Sequence, residues 1–225
     1  MRPELKAIVK AGKLERSARN GVFSHHGAAG KWIISAGLIG MRPAPARVAT
    51  ERMLRQGALD HVMVVGIAGG LDPALTIGSL MVPSRVRLHP DGPEFFSRPL
   101  LPRRAEGGLM TTDGLFSEES VWRPIWESGY GAVDMEASAV AEVCDSAGVD
   151  WSIYRGISDR PDEHIVDQAV FGLSKPDGSA DMAAVAKYVA RDPRRVKALA
   201  HLNRTMELAA TVAAEAAIGD LVAAH

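Results

Sequence analysis

The apolar run at residues 61–65 passes directly into Gly66-Ile67-Ala68-Gly69-Gly70-Leu71-Asp72-Pro73, and it limits the possible folds more than any other stretch of the chain. A strand with no polar alternation suits a position covered on both faces by helices, so it predicts a parallel or mixed sheet in an α/β protein. Residues 151–154 read as a second strand, and Gly156-Ile157-Ser158-Asp159 run off its carboxyl end. Before it, residues 137–144 carry small and apolar side chains at helical spacing, which places Glu136 at the helix start and Asp134 just outside it. Ligands of open α/β sheets bind beyond the carboxyl ends of the strands. Asp134, Glu136 and Asp159 are therefore expected to converge there, with the helix dipole keeping Glu136 ionised. Each acid also has a purely structural reading, as a helix cap or, for Asp159, as an ion pair with Arg160. The glycines after residue 65 fit a close backbone approach to a ligand or a tight turn without one.

The remaining elements follow from periodicity and turn chemistry. Residues 1 to about 16 read as a helix with Leu5, Ile8 and Val9 on one face. Residues 21–23 and 31–35 read as a hairpin turning at His25-His26-Gly27, where the adjacent histidines are solvent-facing rather than metal ligands. Gly37-Leu38-Ile39-Gly40-Met41-Arg42-Pro43 leads into a helix at 46–56, a place where backbone N–H groups can meet an anion. Residues 79–82 read as a strand, and 85–106, rich in Pro and Arg, as a long surface loop holding Phe95 and Phe96, which either shield a pocket or simply pack. A further element begins at 165–171, a turn follows at 175–178, and helices occupy 182–190 and 195 to about 217, the last covering one sheet face.

Bulk properties exclude several function classes. The 225 residues suffice for one domain with a sizeable core, and a formal net charge of -1 gives no electrostatic footprint for nucleic acid. No apolar run reaches the roughly 18 residues of a membrane span. The basic N-terminal stretch lacks a signal-type apolar region, and the single cysteine, Cys144, has no partner for an internal disulfide, so a cytoplasmic setting is expected. Cys144 lies within the apolar helix pattern and reads as a buried structural thiol.

Two segments in order, VDMEASAVA followed by GISD, resemble the paired signature of the purine nucleoside phosphorylase/nucleosidase superfamily, in particular 5'-methylthioadenosine/S-adenosylhomocysteine nucleosidases. GIAGGLDPALTIGSLMVP resembles a further fingerprint of that superfamily. GIAGGLDPAL and RDPRRVKALAHLNR also resemble hopanoid-associated nucleosidases within it. The resemblance implies a three-layer α/β/α fold with a mixed central sheet, a homodimer, a small-molecule purine nucleoside as substrate, and no metal or organic cofactor. It implies that Glu136 binds the ribose hydroxyls, that Met135 packs on the sugar beside Asp134, and that Asp159, next to Ser158, gives a proton to the purine N7. Ala68 and Gly69 fall where backbone approaches the substrate closely, and Leu115 and Phe116 of LMTTDGLFS fall where apolar side chains stack on the base. Superfamily members begin with a strand, followed by a Glu that positions the attacking water. Glu4 matches that Glu, and the expectation is either that the start of the protein lies upstream of this sequence or that the sheet lacks the first strand.

A departure bears on the chemistry. Phosphorolytic members tend to carry an Arg shortly before the first glycine and a hydroxyl residue after it, where this chain has Val64 and Ile67. Hydrolysis of the N-glycosidic bond is the preferred expectation, with adenine-type nucleosides as substrates. Two alternatives stand beside it: phosphorolysis, including that of an adenosylated hopanoid precursor, and a nucleoside-binding protein without turnover.

Overall fold

A computed structural model describes residues 2–18, 21–101, 105–116, 118–163, 166–175 and 179–224. Its strands are β1 (Glu15–Arg16), β2 (His25–Ala29), β3 (Trp32–Ala36), β4 (His61–Gly70), β5 (Leu80–Met81), β6 (Arg85–Leu88), β7 (Glu94–Phe96), β8 (Gly108–Thr111), β9 (Tyr130–Asp134) and β10 (Asp150–Asp159). Its helices are α1 (Arg2–Ala11), α2 (Pro43–Leu54), α3 (Glu119–Glu127), α4 (Ala137–Ala147), α5 (Gln168–Phe171), α6 (Met182–Arg191) and α7 (Arg195–Ala223).

Seven strands form a mixed central sheet in the order β5-β10-β4-β9-β8-β6-β7. Helices α1 and α7 cover one face, and α4 with α2 behind it covers the other, giving the expected three layers. The apolar run of β4 lies parallel to β10, whose Trp151, Ile153, Tyr154 and Ile157 are fully buried. Strand β9 meets β4 antiparallel only at Gly69 and Gly70, so its carboxyl end delivers Asp134 beside the glycines of β4. Strands β1, β2 and β3 form a separate sheet. Among the described residues α1 is the first element, and along residues 61–68 β4 pairs with β10 alone.

Local chemistry explains the ends of α4. The Asp134 side chain accepts the Ala137 N–H at 3.0 Å, starting the helix, and Gly148 at φ 68 ends it while the Val149 N–H returns to Cys144. Cys144 is fully buried, and burial pushes its thiol up to about 12, as a structural cysteine requires. Gly156 has a packing reason: a Cβ there would collide with the backbone of Ala209, so glycine lets α7 lie directly on β10.

Several sequence expectations are corrected. The first helix stops at Ala11 because Gly12 and Lys13, at φ 50, turn the chain. His25-His26-Gly27 lie within β2, and the hairpin turns instead at Gly30, which adopts φ 59. The stretch 85–106 is not simply a loop, since β6 and β7 form an antiparallel edge hairpin with Arg85 3.4 Å from Glu94. Phe95 packs on the core and Phe96 is exposed, so neither shields the cavity. The glycines 66–70 continue β4 rather than forming a turn. Residues 176–178 of the expected turn, Ile165 of the preceding element and Ser117 lie outside the described residues.

Candidate active site

One cavity of about 800 Å³ opens at the carboxyl ends of β4 and β10, and all ten residues picked from the sequence line it. Helix α1 supplies Glu4, and β4 supplies Ala68 and Gly69. The β9–α4 junction supplies Asp134, Met135 and Glu136, β10 supplies Ser158 and Asp159, and the segment after β8 supplies Leu115 and Phe116.

At the centre stands a residue the sequence reading passed over, Arg155, which is 2% exposed. Its guanidinium pairs with Asp134 and lies 3.5 Å from Glu136 and 3.9 Å from Glu4. Burial pulls its pKa down, but the attraction of Asp134, Glu136 and Glu4 outweighs this and leaves it raised. A signal for it was present in the sequence: a lone basic residue inside the apolar strand 151–157 must find acids if that strand is buried. Gly66 makes the arrangement possible, because a Cβ there would collide with both the Glu4 carboxylate and the Arg155 guanidinium. Glu4 also accepts the Ile67 N–H at 3.0 Å, which fixes α1 against β4.

The four acids have different surroundings. Asp134 accepts from Thr111 Oγ1 at 2.7 Å, from the Ala137 N–H and from Arg155, so its oxygens organise the site from beneath. Glu136 occupies the N-cap position of α4 without capping it, and its Oε1 accepts the Arg42 N–H at 3.1 Å. The helix dipole is not what sets the charge of Glu136. Burial pushes its pKa up to about 7, helped by repulsion from Asp134 and Glu4 and opposed by Arg155 and the Arg42 N–H. Asp159 is also raised, first by burial and then by repulsion from Glu163, although the Ser158 hydroxyl donates to it at 2.5 Å and pulls the other way. Arg160 does not pair with Asp159. It turns to the carbonyls of Asp72 and Leu75, 2.8 Å from each, and to Asp162.

The matching family model is that of the phosphorylase superfamily, aligned over residues 1–106 and 97–191. The chain belongs to the phosphorylase superfamily. Within this superfamily, it is 26% identical over 150 residues to the 5'-methylthioadenosine/S-adenosylhomocysteine nucleosidases of Marinomonas sp. and Pseudoalteromonas translucida. That alignment covers 53% of this chain and spans 65% and 64% of the two relatives, a little under two thirds of their length. Among solved structures, the corresponding nucleosidase of Helicobacter pylori superposes with a TM-score of 0.73 at 18% identity, covering 99% of this chain and 94% of the other. Futalosine hydrolase of Helicobacter pylori gives 0.71 at 17% identity, covering 99% and 94%. At these identities the superpositions establish the phosphorylase-superfamily fold.

The cavity wall also takes in part of the glycine-rich turn before α2 and one residue of α5. Ile39 and Met41 line it from that turn, and Phe171 from α5, an element expected from the sequence but with no role assigned to it at the site. No group of His, Cys, Asp and Glu suited to a metal ion occurs among the described residues.

Proposed function

We propose that this chain, as a single domain, hydrolyses the N-glycosidic bond of an adenine-type purine nucleoside. The observation that carries this reading is the contrast between Asp159 and the Glu4–Arg155–Glu136 cluster within one cavity. Burial raises the Asp159 pKa and so favours the protonated form, which is what a general acid acting on a departing purine needs. Leu115 and Phe116 offer the flat apolar contact for the base, and Met135 covers the sugar. Glu136 receives the ribose hydroxyls, its carboxylate oriented by the Arg42 N–H. As the bond to the base breaks, positive charge grows on the ribosyl ring, and the carboxylates around Arg155 stabilise it. Glu4, held by the Ile67 N–H, orients the water whose oxygen bonds to the anomeric carbon.

Water is favoured over phosphate on electrostatic grounds. Arg155, the cation that lies against Glu4 and Glu136, is already surrounded by Asp134, Glu136 and Glu4, so a phosphate dianion gains little from it. The relatives named above are nucleosidases, and the Colwellia psychrerythraea nucleosidase of the same fold has been solved in complex with adenine. Ile39, Met41 and Phe171 extend the apolar lining, which suits an apolar 5' substituent. No helix among the described residues is long and apolar enough to cross a membrane, the chain acts in the cytoplasm in this reading, and exposed apolar residues such as Leu38 and Val48 are available to a homodimer contact.

Free-base release from methylthioadenosine, S-adenosylhomocysteine, adenosine and inosine, with and without phosphate, tests the reading. Adenine release that does not need phosphate is expected. Dependence on phosphate with formation of a ribose 1-phosphate would identify a phosphorylase, and nucleoside binding without product would identify a binding protein.

A further inference from the structure

Arg42 occupies a backbone conformation that side chains rarely adopt, at φ 81 and ψ 161. Apart from Lys13 it is the one non-glycine residue with positive φ among the described residues. Glycine would take this conformation without strain, so the arginine persists against a local cost. Its side chain shows what is obtained in return. The guanidinium lies 5.7 Å from the centre of the Phe171 ring and 4.0 Å from the Asp113 carboxylate. Asp113 belongs to the segment whose Thr112, Gly114, Leu115 and Phe116 line the cavity, and Phe171 lines it from α5. Nothing else described joins these two segments by a hydrogen bond or an ion pair.

We infer that Arg42 is a positioning residue, a latch that ties the 112–116 segment to α5 at the rim of the cavity and so holds the apolar wall against the bound nucleoside. The latch rests on the nucleosidase reading above. It works through Asp113 and Phe171 rather than by touching the reacting atoms. Because Arg42 is half exposed, each contact is modest alone, and their value lies in fixing two loops with one side chain.

Arg42→Gly separates the latch from the backbone, since it keeps the N–H that holds Glu136 and relieves the strained φ. The expected result is a KM raised about tenfold with kcat within about twofold, as loss of a cation–π contact and a half-exposed ion pair implies. The melting temperature should not fall, because relieved strain offsets the lost contacts. Asp113→Asn should raise KM in the same direction, and the double variant should bind no worse than Arg42→Gly alone. A KM unchanged in Arg42→Gly, or fully additive effects in the double variant, would overturn the latch. Should the unsubstituted protein turn over no nucleoside, the enzymatic reading falls, and calorimetric titration with adenosine still tests the latch: a Kd raised about tenfold in Arg42→Gly supports it and an equal Kd overturns it. Adenosine binding by neither protein overturns both.

Discussion

Arg155 sets the terms for every other residue in the cavity. Three carboxylates near one guanidinium leave an excess of negative charge in a largely dehydrated wall, and the pKa of Glu136 is raised by that burial first and by repulsion from Asp134 and Glu4 second. Truncating the arginine leaves Asp134, Glu136 and Glu4 facing one another without a cation, so Arg155→Ala should cost about 3–5 kcal/mol of unfolding free energy in urea. A loss below 1 kcal/mol would show that the acids simply take up protons and that the cluster carries little strain. Asp159 makes the opposite prediction. Arg160 is engaged elsewhere and burial disfavours the ionised carboxylate, so Asp159→Asn should leave the unfolding midpoint at neutral pH no lower than that of the parent. Turnover should nevertheless fall by about 10²–10⁴, the usual contribution of a general acid. Unchanged turnover would remove Asp159 from the chemistry. The motif residues were legible because they are polar groups at element ends, where spacing and resemblance both point. Arg155 was not read, because a charged residue within a strand declares its role only once its partners, far away in sequence, are known.

Among the elements, the two long parallel strands were legible, and the edges were not. Strands β4 and β10 are covered on both faces, so β4 carries an almost continuous apolar run and β10 a largely apolar one broken only by Ser152 and Arg155 before its carboxyl end. The edge hairpin β6–β7 is only half covered. Its Arg85, Arg87 and Glu94 interact across the hairpin and with its connection, so its composition resembles that of a loop. The first hairpin was placed with the wrong turn for a related reason: His25-His26-Gly27 look like a turn by composition, yet the left-handed residue is Gly30. Strand β9 was missed because Gly131 and its short length weaken the pattern. Glycines within strands separate into two kinds, and substitution distinguishes them. Gly156→Ala drives a methyl into the Ala209 backbone and must push α7 off β10, so a loss of about 1–3 kcal/mol or more is expected from overpacking at a site where backbone cannot give way. At Gly131 the nearest atom to a new Cβ is the Leu75 side chain at 3.5 Å, an ordinary contact, so Gly131→Ala should be neutral or stabilising by up to about 1 kcal/mol. Equal losses from both variants in chemical unfolding would mean that α7 does not rest on β10 as closely as described.

For the whole molecule, the buried titratable groups make stability depend on pH in two opposite senses. Glu136 has an ordinary value of 4.5 and is held at about 7 in the folded protein, so between those values the folded state binds more protons than the unfolded one. Its contribution to stability is therefore present at low pH and lost as pH rises towards 7, and Asp159, also raised by burial, acts in the same direction from 3.8 upward. His61, whose Nε2 lies 2.8 Å from Ser152 Oγ, is lowered from 6.5 by burial, so its contribution is full above 6.5 and declines as pH falls below it. The acids that serve the reaction thus oppose folding under the conditions in which they ionise. Glu136→Gln removes one of them while keeping its shape, and the variant should be more resistant to urea than the parent at pH 8. That advantage should shrink steadily as pH is lowered to 5, while nucleoside turnover at pH 8 falls sharply. Urea midpoints of both proteins at pH 5, 6.5 and 8 decide the matter. A gap between the two that stays constant with pH would mean that Glu136 titrates alike in the folded and unfolded chains, and that the cavity is far better solvated than its geometry implies.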